Sequence, residues 1–156
     1  MIGILLVTHG NIGEELCAAA EHVLGTQRQL AFVSVNGADS ISLKRAEIAA
    51  GIEAVRPDAD DGVIILTDMI GCTPSNLASR EGKVGREVVV TGVNLPMLVT
   101  IAKAREKGTL PRVVRQGIEA GRKYIDVAPA VASVPLPVSA PASAPAPSRT
   151  PKPMDA

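Results

Sequence analysis

The sequence predicts a doubly wound α/β fold: an open, mainly parallel sheet with helices on both faces. Two observations carry this expectation. Short apolar runs alternate with longer amphipathic stretches through the first 127 residues, the order expected of strands joined by crossover helices. The runs are also continuous, as in Ile2–Val7 and Gly62–Thr67, whereas a sheet with one wet face would alternate apolar and polar residues.

Ile2–Val7 reads as a buried first strand. Ile12–Leu24 is a helix, stopped by Gly25. Leu30–Val35 is the second strand. Ser40 can cap a helix that runs through Val55, with Pro57 marking its exit. Gly62–Thr67 is the third strand. Pro74–Arg80 is a short helix whose proline sits in the first turn, where its missing amide costs nothing. Glu87–Thr91 is the fourth strand, Leu95–Glu106 a helix and Leu110–Tyr124 the last helix, with Ile125–Val127 a candidate for one more short strand. Gly3 and the alanines of "CAAAEHV" suit close helix–sheet contact. From Ala128 the composition changes: the final 29 residues hold eight prolines and eight alanines, which can form neither ladders nor a core. The expected organisation is one folded domain, 1–127, followed by an extended, disordered Ala/Pro-rich tail or linker, 128–156.

Composition excludes several function classes. The 16 basic and 16 acidic residues cancel, so no polyanion-binding surface is expected and nucleic acid is an unsuitable partner. Phe32 and Tyr124 are the only aromatics, too few for base stacking. Two cysteines do not make a disulfide framework, so a reducing, cytoplasmic compartment is the default. Met1–Val7 lacks a basic leader, and no stretch reaches the ~20 apolar residues of a membrane span, so direct membrane insertion is not expected. Neither GxxxxGK nor a Rossmann glycine triplet occurs, which argues against nucleotide binding by the usual loops. The histidines and cysteines have no metal-ligand spacing, so neither metal nor cofactor is expected.

Ligands of open α/β sheets gather at the carboxyl ends of strands, where strand order reverses. The first strand ends in Thr8-His9-Gly10 and the third in Thr67-Asp68, followed by "MIGCTPSN". A flavodoxin-like strand order, 2-1-3-4, puts these two ends side by side. A carboxylate that accepts the proton of one ring nitrogen fixes the tautomer and leaves the other nitrogen as a nucleophile. Gly71-Cys72-Thr73-Pro74-Ser75 is a tight turn into a helix, whose free amides form an anion seat, with hydroxyls on Thr73 and Ser75. Gly10 and Asn11 stand ahead of the first helix and can add donors. No lysine lies in either loop, so charge neutralisation falls to amides or to a partner. Structural readings stand beside these. His9 could be an ordinary polar loop residue, Asp68 a cap, "GCTPSN" a turn, and "TGVNLPMLV" with Asn94 a plain strand-to-helix connection. Cys72, near a helix amino end, also admits a Cys–His hydrolase.

Three segments, "GILLVTHGNIGEEL", "DMIGCTPSNLASR" and "TGVNLPML", together resemble the mannose-family IIA component of the bacterial sugar phosphotransferase system, over essentially all of residues 1–127. The resemblance implies a phosphocarrier in which His9 is phosphorylated and Asp68 orients its ring. The family's phosphoryl-contacting serine falls on Thr73. The second glycine of that loop is Cys72 here, and the family aromatic after the aspartate is replaced by Met69 and Ile70. Ile12, Met69, Ile70 and Asn94 are the expected docking rim. The implied donor is the histidine phosphocarrier protein, and the acceptor is a IIB component or a regulatory target. A homodimer with a swapped edge strand from the region after Gly121 is also implied. The location would be cytoplasmic, at most peripheral to a membrane transporter complex. Alternatives are a phosphocarrier feeding a dihydroxyacetone kinase and a non-catalytic regulatory module.

Overall fold

The computed structural model describes residues 1–56, 61–83 and 85–127. The expected disordered tail and the expected helix exit at Pro57 lie outside these residues. Met1–Asp126 form one compact unit. Its elements run β1 (Gly3–His9), α1 (Ile12–Leu24), β2 (Leu30–Val35), α2 (Ile41–Val55), β3 (Val63–Thr67), α3 (Thr73–Glu81), β4 (Glu87–Thr91), α4 (Leu95–Ala104) and α5 (Leu110–Lys123). The four strands form one parallel sheet in the order β2-β1-β3-β4. This is the doubly wound, flavodoxin-like 2-1-3-4 arrangement.

Alternation along the strands divides the core in two. Ile4 and Leu6 of β1 with Ile64 and Leu66 of β3 face a cluster built with α1, α4 and α5. Leu5 and Val7 with Val63 and Ile65 face a second cluster, built with α2 and α3. Each side chain named here is fully buried, which explains why the central strands are apolar at every position. Gly3 shows how tight the layers are: a Cβ there would lie 2.2 Å from the Val55 carbonyl oxygen at the end of α2.

Several boundaries depart from expectation for identifiable reasons. β1 continues through His9 because Thr8 and His9 still pair with Ser34 and Val35 of β2. Ser40 occupies the cap position of α2, but its hydroxyl faces Ser42 at 3.0 Å and caps no amide. α4 stops at Ala104, short of Glu106, and the amides of Lys107 and Gly108 both turn back to the Ala104 carbonyl. The next residue, Arg105, is only 2% exposed. Its guanidinium bridges the carbonyls of Ile2, Arg28 and Gln29 and the side chain of Gln27, tying α4 to the amino ends of β1 and β2. α5 ends at Lys123, one residue early, and residues 125–127 form no strand.

Candidate functional site

The register carries the first strand's tip past its neighbour. Val7 pairs with Thr67, so His9 lies two residues beyond that pair and Asp68 one. Their side chains meet there. His9 Nδ1 is 2.8 Å from Asp68 Oδ2, and the His9 amide donates to the same oxygen at 3.0 Å. The Met69 amide donates to Oδ1 at 3.0 Å. Burial pushes the Asp68 carboxyl up, but the bonds from the His9 amide, the His9 ring and the Met69 amide outweigh it and hold the group below the ordinary value of 3.8. An ionised carboxylate only accepts, so Nδ1 carries the ring proton and Nε2 keeps its lone pair. The Asp68 side chain is 14% exposed and the His9 side chain 46%, so the anchor is covered while the ring reaches solvent.

The two loops around the pair are set by backbone conformation. Gly10 (φ 47°) and Gly71 (φ 77°) adopt left-handed geometry, which other residues take only at a cost. Cys72 is the N-cap of α3, with Pro74 in the first turn. The first-turn amides of a helix have no intrahelical acceptor, and here they belong to Thr73 and Ser75 on either side of the proline. Thr73 is exposed, whereas Ser75 is 5% exposed. Amides of this kind, at a helix start, have the chemistry to seat an anion.

Two expected contributors are occupied elsewhere. The Gly10 amide donates to the Val35 carbonyl at 3.2 Å, so it serves the sheet and is not free for a ligand. Asn94 caps α4 by accepting from the Met97 amide at 3.0 Å, and its Nδ2 donates to the Gly121 carbonyl at 3.1 Å. It joins α4 to α5, so its polar atoms are engaged within the fold. The other rim residues do present themselves to solvent: Ile12 is 46% exposed, Met69 59% and Ile70 78%.

One contributor escaped the sequence reading. Thr8 is fully buried, and its hydroxyl accepts from the Gly13 amide at 2.8 Å, capping α1 from the neighbouring strand tip. Asn11, at the formal cap position, makes no side-chain cap. A Cβ on Gly13 would lie 2.9 Å from that hydroxyl oxygen. A hydroxyl residue at a strand tip with a glycine five residues later is the signal that was available. The lack of metal-ligand spacing in the sequence was also no guide to the fold, which brings ligand atoms of His9, Asp68 and Cys72 within 4.8 Å of one another.

The family described as "EIIA-man: PTS system fructose IIA component" matches residues 3–117. The chain belongs to this mannose-type IIA family. The IIA domain is 33% identical over 149 residues to the PTS system mannose-specific EIIAB component of Escherichia coli K12, a match covering 89% of this chain and 44% of that protein. The chain thus spans less than half the length of that relative. Among solved structures, the PTS IIA protein associated with the fucose utilization operon of Streptococcus pneumoniae is 26% identical. It superimposes with a TM-score of 0.68, covering 80% of this chain and 91% of that one. The mannose/sorbose specific IIA subunit of Enterococcus faecalis is 25% identical with a TM-score of 0.66, covering 88% and 98%. A IIA component is a phosphocarrier, a protein-histidine transferase within the phosphotransferase cascade. No described helix is long and apolar enough to cross a membrane.

Proposed function

We propose that this IIA domain carries its phosphoryl group on Nε2 of His9, taking it from the histidine phosphocarrier protein and giving it to a IIB component. The observation that carries the reading is the 2.8 Å contact between His9 Nδ1 and Asp68 Oδ2, which leaves Nε2 exposed and nucleophilic. Nε2 attacks the phosphorus of the donor's phosphohistidine in line. The new N–P bond forms as the donor's N–P bond breaks, and the electron pair returns to the donor imidazole. His9 keeps its Nδ1 proton throughout, so no general acid is required. As positive charge grows on the attacking ring, the Asp68 carboxylate stabilises it. The amides and hydroxyls of Thr73 and Ser75 receive the equatorial oxygens, fixed in place before reaction.

A shallow site suits this chemistry, because a second protein's side chain must reach the same phosphorus. The apolar rim of Ile12, Met69 and Ile70 would dock such partners briefly, through a small interface. A homodimer fits the edge strand. β4 pairs only with β3 among the described residues. A cavity of about 490 Å³ lies beside it, lined by residues including Val88, Val90, Ile118 and Ile125. A strand from a second copy would cover both.

The test uses phosphoenolpyruvate, enzyme I and the histidine phosphocarrier protein, with mass spectrometry of the product. One acid-labile phosphoryl adduct on His9 is expected, and none on His9→Ala. Asp68→Asn should still be labelled, but on the order of 10²-fold more slowly, the cost of a misplaced reacting atom. Unchanged labelling of His9→Ala defeats the assignment.

A further inference from the structure

The thiol of Cys72, in the loop that leads into α3, turns toward the His9–Asp68 pair. Sγ lies 3.8 Å from Asp68 Oδ1 and donates to the Met69 carbonyl. On the other side of the same carboxylate, Oδ2 holds His9 Nδ1 at 2.8 Å. An imidazole nitrogen, a carboxylate oxygen and a sulfur thus converge, all within 4.8 Å of one another. We propose that His9, Asp68 and Cys72 form a binding site for a thiophilic divalent cation, zinc above all, and that its occupancy blocks phosphoryl transfer. The second half of this proposal rests on the carrier role of His9; the binding half does not.

The donor set selects the metal. A hard cation such as magnesium or calcium takes oxygen ligands, and this site offers one carboxylate. Mixed sulfur, nitrogen and oxygen donors suit zinc. With zinc bonds of about 2.0–2.3 Å, tetrahedral ligand atoms stand roughly 3.3–3.7 Å apart. His9 Nδ1 stands 2.8 Å from Asp68 Oδ2, Cys72 Sγ stands 3.8 Å from Oδ1, and one ligand atom from each residue lies within 4.8 Å of the others, so side-chain adjustments on the order of 1 Å would close the site. The half-exposed ring leaves the metal a route in and room for a water as fourth ligand.

Either ring nitrogen gives the same outcome. Ligation through Nδ1 replaces its hydrogen bond to Asp68 and puts the proton of the neutral ring on Nε2, which then has no lone pair. Ligation through Nε2 occupies the nucleophile itself. Binding releases the thiol proton to solvent and changes no oxidation state. A phosphorylated His9 would resist the metal for the converse reason, so metal and phosphoryl group compete for one side chain.

Two measurements on the full chain test this. Titration with Co²⁺, followed by displacement with Zn²⁺, should show one equivalent bound with a thiolate-to-cobalt charge-transfer band. The band should vanish in Cys72→Gly, and zinc affinity should fall on the order of tenfold or more in His9→Ala and in Asp68→Asn. Cys17→Ser should bind as the parent does. Secondly, labelling of His9 from pre-phosphorylated donor should be suppressed by Zn²⁺ and restored by chelator. In Cys72→Gly, zinc should change the rate little relative to that variant's own metal-free rate. Absence of binding, a band that survives in Cys72→Gly, or binding indifferent to His9 overturns the site. Binding without inhibition overturns its regulatory role. Binding by a protein that no donor phosphorylates leaves the metal site standing and sinks the carrier reading instead.

Discussion

His9 and Asp68 are separated by 59 positions yet share three contacts' worth of consequence: one carboxylate fixes a tautomer, aims a ring and anchors a strand tip through the His9 amide. This part of the site was legible in the sequence, because both residues end apolar runs and parallel strands present their ends together. Other parts were not. The capping role of Thr8, the diversion of Asn94 to α5 and the approach of Cys72 to Asp68 depend on side-chain directions across elements, which no local pattern records. The two cysteines illustrate the same divide. Cys17 is 8% exposed on the buried face of α1, and burial, aided by the charge of Glu21, pushes its thiol up to about 11. Cys72 is half-buried at the site. At pH 8 only about one Cys17 in a thousand is then thiolate, and the thiolate is the reacting form. Iodoacetamide should therefore modify Cys72 well before Cys17, with Cys17 gaining about tenfold in rate per pH unit below its pKa. Peptide mapping after timed alkylation reads this directly. Equal labelling of both would mean that the packing of α1 on β1 is looser than described.

Elements obey simpler rules, and their existence and order followed from apolar runs alone. Five of the nine elements differ from expectation at one or both ends, each end by one or two residues, the ordinary uncertainty of helix and strand ends. The early end of α4 needed more, since nothing local announces that Arg105 will turn inward to satisfy carbonyls at the far end of the sheet. Gly3 is the case where sequence and packing agree most closely. It opens β1, its missing side chain lets the end of α2 approach, and its amide bonds the Gly62 carbonyl at 3.1 Å. A methyl group would have to displace backbone, the Val55 carbonyl at 2.2 Å, since no flexible side chain stands there to yield. Gly3→Ala should cost roughly 1–3 kcal/mol, the range for overpacked interiors. Urea denaturation should show a lower midpoint at unchanged slope. The labelling rate of His9 in the surviving folded fraction should stay near the parent's, because β1 delivers His9 from its opposite end.

For the whole molecule, the sheet is asymmetric in its edges. β2 is flanked by α1 and α2, which both pack on it, but β4 borders a cavity and receives little cover from α5. An uncovered parallel strand is a template for pairing, and folded proteins seldom leave one open. The end of the compact unit supplies the complement: Tyr124 and Ile125 are 66% and 78% exposed, and Ile125 lines the cavity beside β4. Leaving these side chains in water gains nothing, whereas exchange between two copies would bury them against β4 of the other and complete both sheets. Ile125→Asp separates the two states cleanly. In a lone chain its side chain is in water, so the change should leave helix content and thermal midpoint near those of the parent at low concentration. In a dimer the carboxylate would be buried beside Val88 and Val90, in a lining that also holds Arg122, and association should weaken by roughly tenfold, corresponding to about 1.4 kcal/mol, less than a wholly unpaired charge would cost. Sedimentation across a concentration series distinguishes the outcomes. A parent that stays monomeric throughout, or a variant that dimerises as well as the parent, removes the exchanged strand from the account and leaves β4 to be covered by something other than a second copy.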